Sequence, residues 1–90
     1  MKHNVTGPAI KEARESRGWS PDMLAFLLAA EDWITDGKTL EQMENQEMPI
    51  SDIQIFALAK TLEIPFEKFY QTKDALALIK KIRQMERHHH

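Results

Sequence analysis

Apolar residues recur three and four positions apart along most of this chain, and that spacing is typical of amphipathic helices. Leu24, Leu27 and Leu28 share one face of such a helix, and Leu40 and Met43 share a face of the next one. No stretch alternates apolar and polar residues for long enough to predict a strand. The pattern therefore predicts an all-α protein.

Proline, glycine and serine residues indicate where the first two helices begin and end. Pro8 and Pro21 suit the first position of a helix, because the N–H that proline lacks would have no partner there. Ser20 directly precedes Pro21 and is suited to cap its helix. Gly18 can take the left-handed backbone that closes a helix. We therefore expect a first helix over residues 8–17 and a second helix that starts at Pro21.

Turn-forming residues precede a predicted third helix. The stretch 35–38 combines threonine, aspartate, glycine and lysine, and either Thr35 or Asp36 can cap the helix that follows. Its inward residues are the Leu40 and Met43 already named. We expect this helix to end near Gln46.

A fourth helix is predicted behind Ser51, because Pro49 stops the preceding helix and serine is a favoured cap. We expect Ile53, Phe56 and Leu62 to pack in the core from its apolar face. A short helical turn after the next proline carries three aromatic residues: Phe66, Phe69 and Tyr70.

A last amphipathic helix is predicted over residues 72–87, beyond a first domain of residues 1–71. Its apolar stripe consists of Leu76, Ile79, Ile82 and Met85. Its outer face carries Lys80, Lys81, Arg83 and Arg87. The stripe can fold back on its own domain or meet a second copy of the chain. The histidines at 88–90 are interpreted as the remnant of a purification tag.

Length and composition exclude several classes of protein. Ninety residues are enough for a single domain, and the absence of cysteine excludes disulfides and thiolate sites. No apolar run approaches the roughly 20 residues of a membrane span, so we expect a soluble, cytoplasmic protein. No glycine-rich phosphate loop, nucleophile elbow or metal-ligand spacing is present. We expect neither enzymatic activity nor a cofactor nor a metal site.

Three stretches, in this order, resemble the lambda-repressor-like helix-turn-helix family, also called Cro/CI-type or XRE-like. They are residues 10–25 (IKEARESRGWSPDMLA), 39–49 (TLEQMENQEMP) and 55–70 (IFALAKTLEIPFEKFY). The resemblance implies a compact five-helix domain that binds duplex DNA as a homodimeric transcription regulator. It also places Arg14 and Glu44 where the family has an internal salt bridge.

In this family the third helix lies in the major groove, and residues toward its N-terminus meet the base edges. The resemblance thus implies DNA contacts by Lys38, Thr39, Glu41, Gln42 and Asn45, with Arg17 adding positive charge from the flank. Dimers of such domains bind two half-sites about one helical turn apart. We therefore expect the apolar stripe of the last helix to pair two copies.

Two features depart from the family pattern. Pro21 replaces a glutamine that the resemblance would assign to a phosphate contact. The second and third helices also fit the family in registers that differ by five residues, which places an insertion within residues 29–38. Either the second helix is extended, to an end between Ala29 and Trp33, or a loop carrying Trp33 bulges outward. Trp33 would then either fill the core or lead a contact with another protein.

The charge around the third helix is unusual for a DNA reader. Residues 31–52 contain seven carboxylates and one cation, although the whole chain has a net charge of −2. A negative surface opposes approach to a polyanion. An alternative function is therefore a helix-turn-helix-fold protein-interaction module, such as a regulator's partner or antirepressor, whose acidic third helix meets a basic protein.

Overall fold

The computed structural model describes residues 2–70 and 80–84, and every regular element in them is helical. The four α-helices are α1 (Gly7–Ser16), α2 (Pro21–Leu28), α3 (Gly37–Glu44) and α4 (Asp52–Leu62). Two 3-10 turns span Ala29–Glu31 and Phe66–Tyr70. Residues 80–84 are also helical. The all-α prediction is confirmed, since these residues contain no strand.

Local caps determine where three of the helices begin. The Ser20 hydroxyl accepts a hydrogen bond from the Met23 N–H, at 3.1 Å, at the start of α2. At the start of α3, the Asp36 carboxylate accepts a hydrogen bond from the Thr39 N–H at 2.7 Å. Asp36 rather than Thr35 therefore caps this helix. Ser51 and Gln54 form a reciprocal capping box at α4. Each cap satisfies an N–H that the helix itself leaves unpaired.

The helices enclose one hydrophobic core. Its fully buried large side chains are Ile10, Leu24, Leu28, Leu40, Leu58, Leu62 and Phe69. Helix α2 has its most extensive packing against α3, while the second 3-10 turn closes the core against α1 and α4. Gly18 takes the predicted left-handed conformation, with φ of 69°, after the end of α1.

Helix α4 buries a different face from the one predicted. Ile53 is 82% exposed and Phe56 is 58% exposed, so placing both in the core was wrong. The buried positions are instead Ile55, Leu58, Ala59 and Leu62, which follow the three-and-four spacing of a single helical face. The helix is apolar nearly all round, and its sequence alone therefore does not select the face that packs.

The segment between α2 and α3 has features of both predicted alternatives. Helix α2 ends at Leu28 and continues as the 3-10 turn, after which Asp32 adopts a left-handed backbone with φ of 60°. The Trp33 N–H then donates to the Leu28 carbonyl at 3.2 Å. The Trp33 side chain is half-buried against the core. The segment thus forms one short turn and a loop, and Trp33 holds that loop against the domain.

Most of the predicted last helix lies outside the described residues. Of its stripe, Leu76, Ile79 and Met85 are outside, whereas Ile82 lies within the helical segment 80–84 and is 47% exposed. Residues 88–90, interpreted as the remnant of a tag, also lie outside the described residues. No helix among the described residues has the length and apolar content required to cross a membrane.

Candidate nucleic-acid interface

Helix α3 has two opposite faces. Its buried face consists of Gly37, Leu40, Met43 and Glu44. On the other side Lys38, Glu41 and Asn45 are exposed, and Gln42 is half-buried. Positions 38, 41, 42 and 45 follow the three-and-four spacing that aligns side chains along one helical stripe. Four of the six residues predicted to contact DNA therefore share this stripe, and Thr39 lies beside it, half-buried.

Two carboxylates flank the N-terminus of α3. Asp36 caps the helix, and the hydrogen bond from the Thr39 backbone N–H lowers the pKa of its carboxyl group. Asp22, in the first turn of α2, packs directly against Gly37. Because the N-terminus of a helix is its positive end, it stabilises nearby anions. Asp22 and Asp36 therefore lie at the N-terminus of α3, where a phosphate group would otherwise be favoured.

The acidic segment 31–52 remains largely open to solvent. Among the residues that the structure describes, Glu44 binds Arg14, and Glu31 lies 3.3 Å from the Lys60 ammonium. The other five carboxylates of the segment are exposed: Asp32, Asp36, Glu41, Glu47 and Asp52. Lys38 is the cation of this segment and is also exposed. The exposed surface of segment 31–52 therefore carries a net negative charge.

Arg14 and Glu44, which the resemblance placed opposite each other, form a buried two-bond ion pair. Arg14 Nε lies 2.7 Å from Glu44 Oε2, and Arg14 Nη2 lies 2.9 Å from Oε1. The remaining nitrogen, Nη1, donates to the Trp19 carbonyl at 2.7 Å. Hydrogen bonding to Glu44 raises the pKa of Arg14 above its ordinary value, so the guanidinium stays charged. The pair ties α1 to the end of α3.

Arg17, also predicted to assist DNA binding, makes its contacts inside the protein. Its guanidinium donates to the Ala13 carbonyl at 2.8 Å and also to the Leu62 carbonyl. It lies over the Trp19 ring at 5.9 Å from the ring centroid. These partners link the end of α1 to the end of α4, so Arg17 lies apart from the α3 stripe.

The sequence did not reveal how the N-terminal segment supports α3. The Asn4 amide donates to the carbonyls of Met43 and Met48, at 2.9 and 2.8 Å. Gly7 approaches the same region so closely that a β-carbon there would meet the Met43 carbonyl and lie 2.7 Å from the Glu44 carbonyl oxygen. The sequence of this segment, Asn-Val-Thr-Gly at residues 4–7, is typical of a turn. It does not identify hydrogen-bond partners about 40 residues away.

The part of the chain that the structure describes contains no candidate metal site. No group of three or more histidine, aspartate or glutamate side chains there is arranged to hold a metal ion. Comparison of the chain with protein-family models, with curated proteins and with solved structures gives no match. The geometry and charge of α3 and its surroundings are therefore the features that bear on function.

Proposed function

We propose that this chain is a lambda-repressor-like helix-turn-helix domain that binds duplex DNA in a sequence-specific manner and acts as a homodimeric regulator of transcription. The observation that carries the proposal is the two-faced character of α3. One face is held in the core by Leu40, Met43 and the Arg14–Glu44 pair, and the opposite stripe presents hydrogen-bonding side chains. An α-helix exposed in this way fits the width of the major groove.

Each side chain of the stripe has a chemical partner on the base edges. Lys38 can donate to guanine or to a phosphate, and Gln42 can form two hydrogen bonds with adenine. Glu41 can accept from the amino group of cytosine. A carboxylate on the reading helix disfavours guanine and thymine at its position, because their polar major-groove atoms are acceptors. This makes Glu41 a determinant of specificity rather than of affinity.

We expect weak binding to nonspecific duplex, because the negative surface of segment 31–52 offsets part of the attraction by the protein's cations. Lys38→Ala should lower the affinity for the preferred duplex about tenfold or more, in line with roughly 1–3 kcal/mol per base contact. The matched control is Lys68→Ala, an exposed lysine beside α1 rather than α3. The DNA affinities of both variants are measured by fluorescence anisotropy, in titrations with a duplex selected from a random pool. The titrations are carried out at about 50 and 200 mM salt.

Tight binding that is indifferent to Lys38→Ala and Gln42→Ala would show that α3 is not the reading element. The Lys38 variant should also depend less on salt. The slope of the logarithm of its affinity against the logarithm of the salt concentration should be smaller by about one unit. The Lys68 variant should retain the wild-type affinity.

A specific observation favours the protein-interaction alternative. Within segment 31–52, the exposed Ile34 lies between the exposed carboxylates Asp32 and Asp36 along the chain. Acidic and apolar groups together suit a basic, partly apolar protein surface better than a phosphate backbone. Absence of duplex binding even at about 50 mM salt, by a folded protein, would favour this alternative.

The homodimer is the second part of the proposal. Ile82, the described member of the stripe Leu76, Ile79, Ile82 and Met85, is exposed and is thus available to a second copy. We expect a dimer at tens of micromolar, and we expect Ile79→Lys to dissociate it by placing a charge in the stripe. Ala77→Lys, on the opposite side of the predicted helix, is the control. Sedimentation of all three proteins checks this, and a wild-type monomer would contradict it.

A further inference from the structure

A shallow groove of about 290 Å³ lies between the loop after α2 and the first half of α4. Its apolar surface is provided by Trp33, Ile53 and Ala57, and two carboxylates line it on the loop side, Glu31 and Asp32. Glu31 also lies 3.3 Å from the Lys60 ammonium of α4, so the negative charge of this edge remains through the exposed Asp32. We call this surface the acidic groove.

The acidic groove is an unusual surface to leave exposed. Ile53 is largely open to water, and it adjoins a half-buried tryptophan and a half-buried alanine, so the apolar area is continuous. An apolar patch with a charged edge marks a contact site more often than an isolated exposed side chain does. The carboxylates at its edge indicate that the occupant carries positive charge.

The same chain contains a segment of matching chemistry. Residues 80–84, here called the basic segment, are helical, and all five are exposed. They include three cations, one apolar side chain and no carboxylate: Lys80, Lys81, Ile82, Arg83 and Gln84. Successive residues in a helix are about 100° apart, so Lys81 and Arg83 flank Ile82 on its two sides, and Lys80 points about 160° away from it.

We propose that the acidic groove binds the basic segment of a second copy of the chain, with Ile82 against Ile53 and Trp33. One of the two cations that flank Ile82, Lys81 or Arg83 according to the direction of the segment, then faces the loop carboxylates Glu31 and Asp32. This inference rests on the homodimer part of the proposed function, and it identifies the surface that receives the end of the last helix. It does not depend on DNA binding.

Two features favour a second copy as the occupant. The described part of the domain leaves the whole basic segment exposed, so the segment does not cover its own groove. Each copy offers one groove and one segment, so a two-fold axis makes both contacts at once and the assembly closes as a dimer.

Charge reversal tests the reciprocal arrangement. The segment variant carries Lys81→Glu and Arg83→Glu, and the groove variant carries Glu31→Lys and Asp32→Lys, the two carboxylates that line the groove. Each homodimer would bring like charges together, so we expect each variant to dimerise at least about tenfold more weakly than the wild type. In an equimolar mixture both contacts join opposite charges again. We expect the mixture to form a heterodimer of near wild-type affinity.

Control variants separate this contact from general effects. Lys80→Glu should leave dimerisation unchanged, because Lys80 points away from the groove. Ile53→Ser should weaken the dimer, whereas Phe26→Ser, at a side chain that is similarly exposed (76%) but lies outside the groove, should not. Sedimentation equilibrium gives the dissociation constants, and thermal unfolding verifies that each variant is folded.

Failure of this inference is distinguishable from failure of the dimer itself. If the wild type dimerises and Ile79→Lys dissociates it, while neither charge variant weakens it, the helical stripe holds the dimer and the groove does not. A mixture that stays monomeric also overturns the reciprocal contact. A monomeric wild type overturns both the dimer and the groove contact, and leaves the Lys38 experiment unaffected.

Discussion

Replacing Arg14 with methionine is expected to lower the free energy of unfolding by about 3–5 kcal/mol, and Glu44→Met should have a similar effect. Either substitution leaves the other charge buried without its partner. Arg14→Met additionally removes the donor to the Trp19 carbonyl. Since domains of this size have total stabilities of about 5–15 kcal/mol, this is a large fraction of the whole.

The double variant Arg14→Met with Glu44→Met is the matched control. It removes both charges and fills the site with apolar groups, so it should be much closer to the wild type than either single variant. Thermal unfolding followed by circular dichroism measures the difference, since about 1 kcal/mol shifts the midpoint by roughly 4–8 °C in a domain of this length. A single variant with an unchanged midpoint would show that the pair is not a structural link between α1 and α3.

Replacing Phe69 with alanine is expected to lower the free energy of unfolding by about 3–5 kcal/mol. Phe69 is 0% exposed and belongs to the second 3-10 turn, which packs against both α1 and α4. Removing its ring would leave a cavity between the three elements, and the surrounding helices can relax only partly to fill it.

Phe56→Ala is the matched control for Phe69→Ala, because it deletes the same side chain from an exposed position. Phe56 contacts the Phe66 ring, with the two centroids 5.3 Å apart, and is otherwise largely in solvent. We expect a loss below about 1.5 kcal/mol, the upper range for an aromatic pair. Denaturant unfolding of both variants compares them directly. Equal losses would contradict the assignment of the buried face of α4.

The sequence by itself determined the class of the fold and the beginnings of its helices. The caps at Ser20, Asp36 and Ser51 each join residues three positions apart, so the physical cause lies entirely within the local sequence. The same holds for the left-handed Gly18 and for the alignment of Lys38, Glu41, Gln42 and Asn45 along α3. The stripe of side chains proposed to contact DNA could therefore be predicted without a structure.

Only the tertiary structure decided which apolar residues of α4 are buried and what the N-terminal segment does. Ile53 and Ile55 are equally hydrophobic, and α1, α2 and the second 3-10 turn select Ile55 by packing against its side of the helix. Asn4 binds the Met43 and Met48 carbonyls and Arg17 binds the Leu62 carbonyl, all 39–45 residues away along the chain. Local periodicity carries no information about such contacts, because they depend on how the complete helices pack together. For the same reason, the acidic groove became visible only once α4 had turned Ile53 outward beside Trp33.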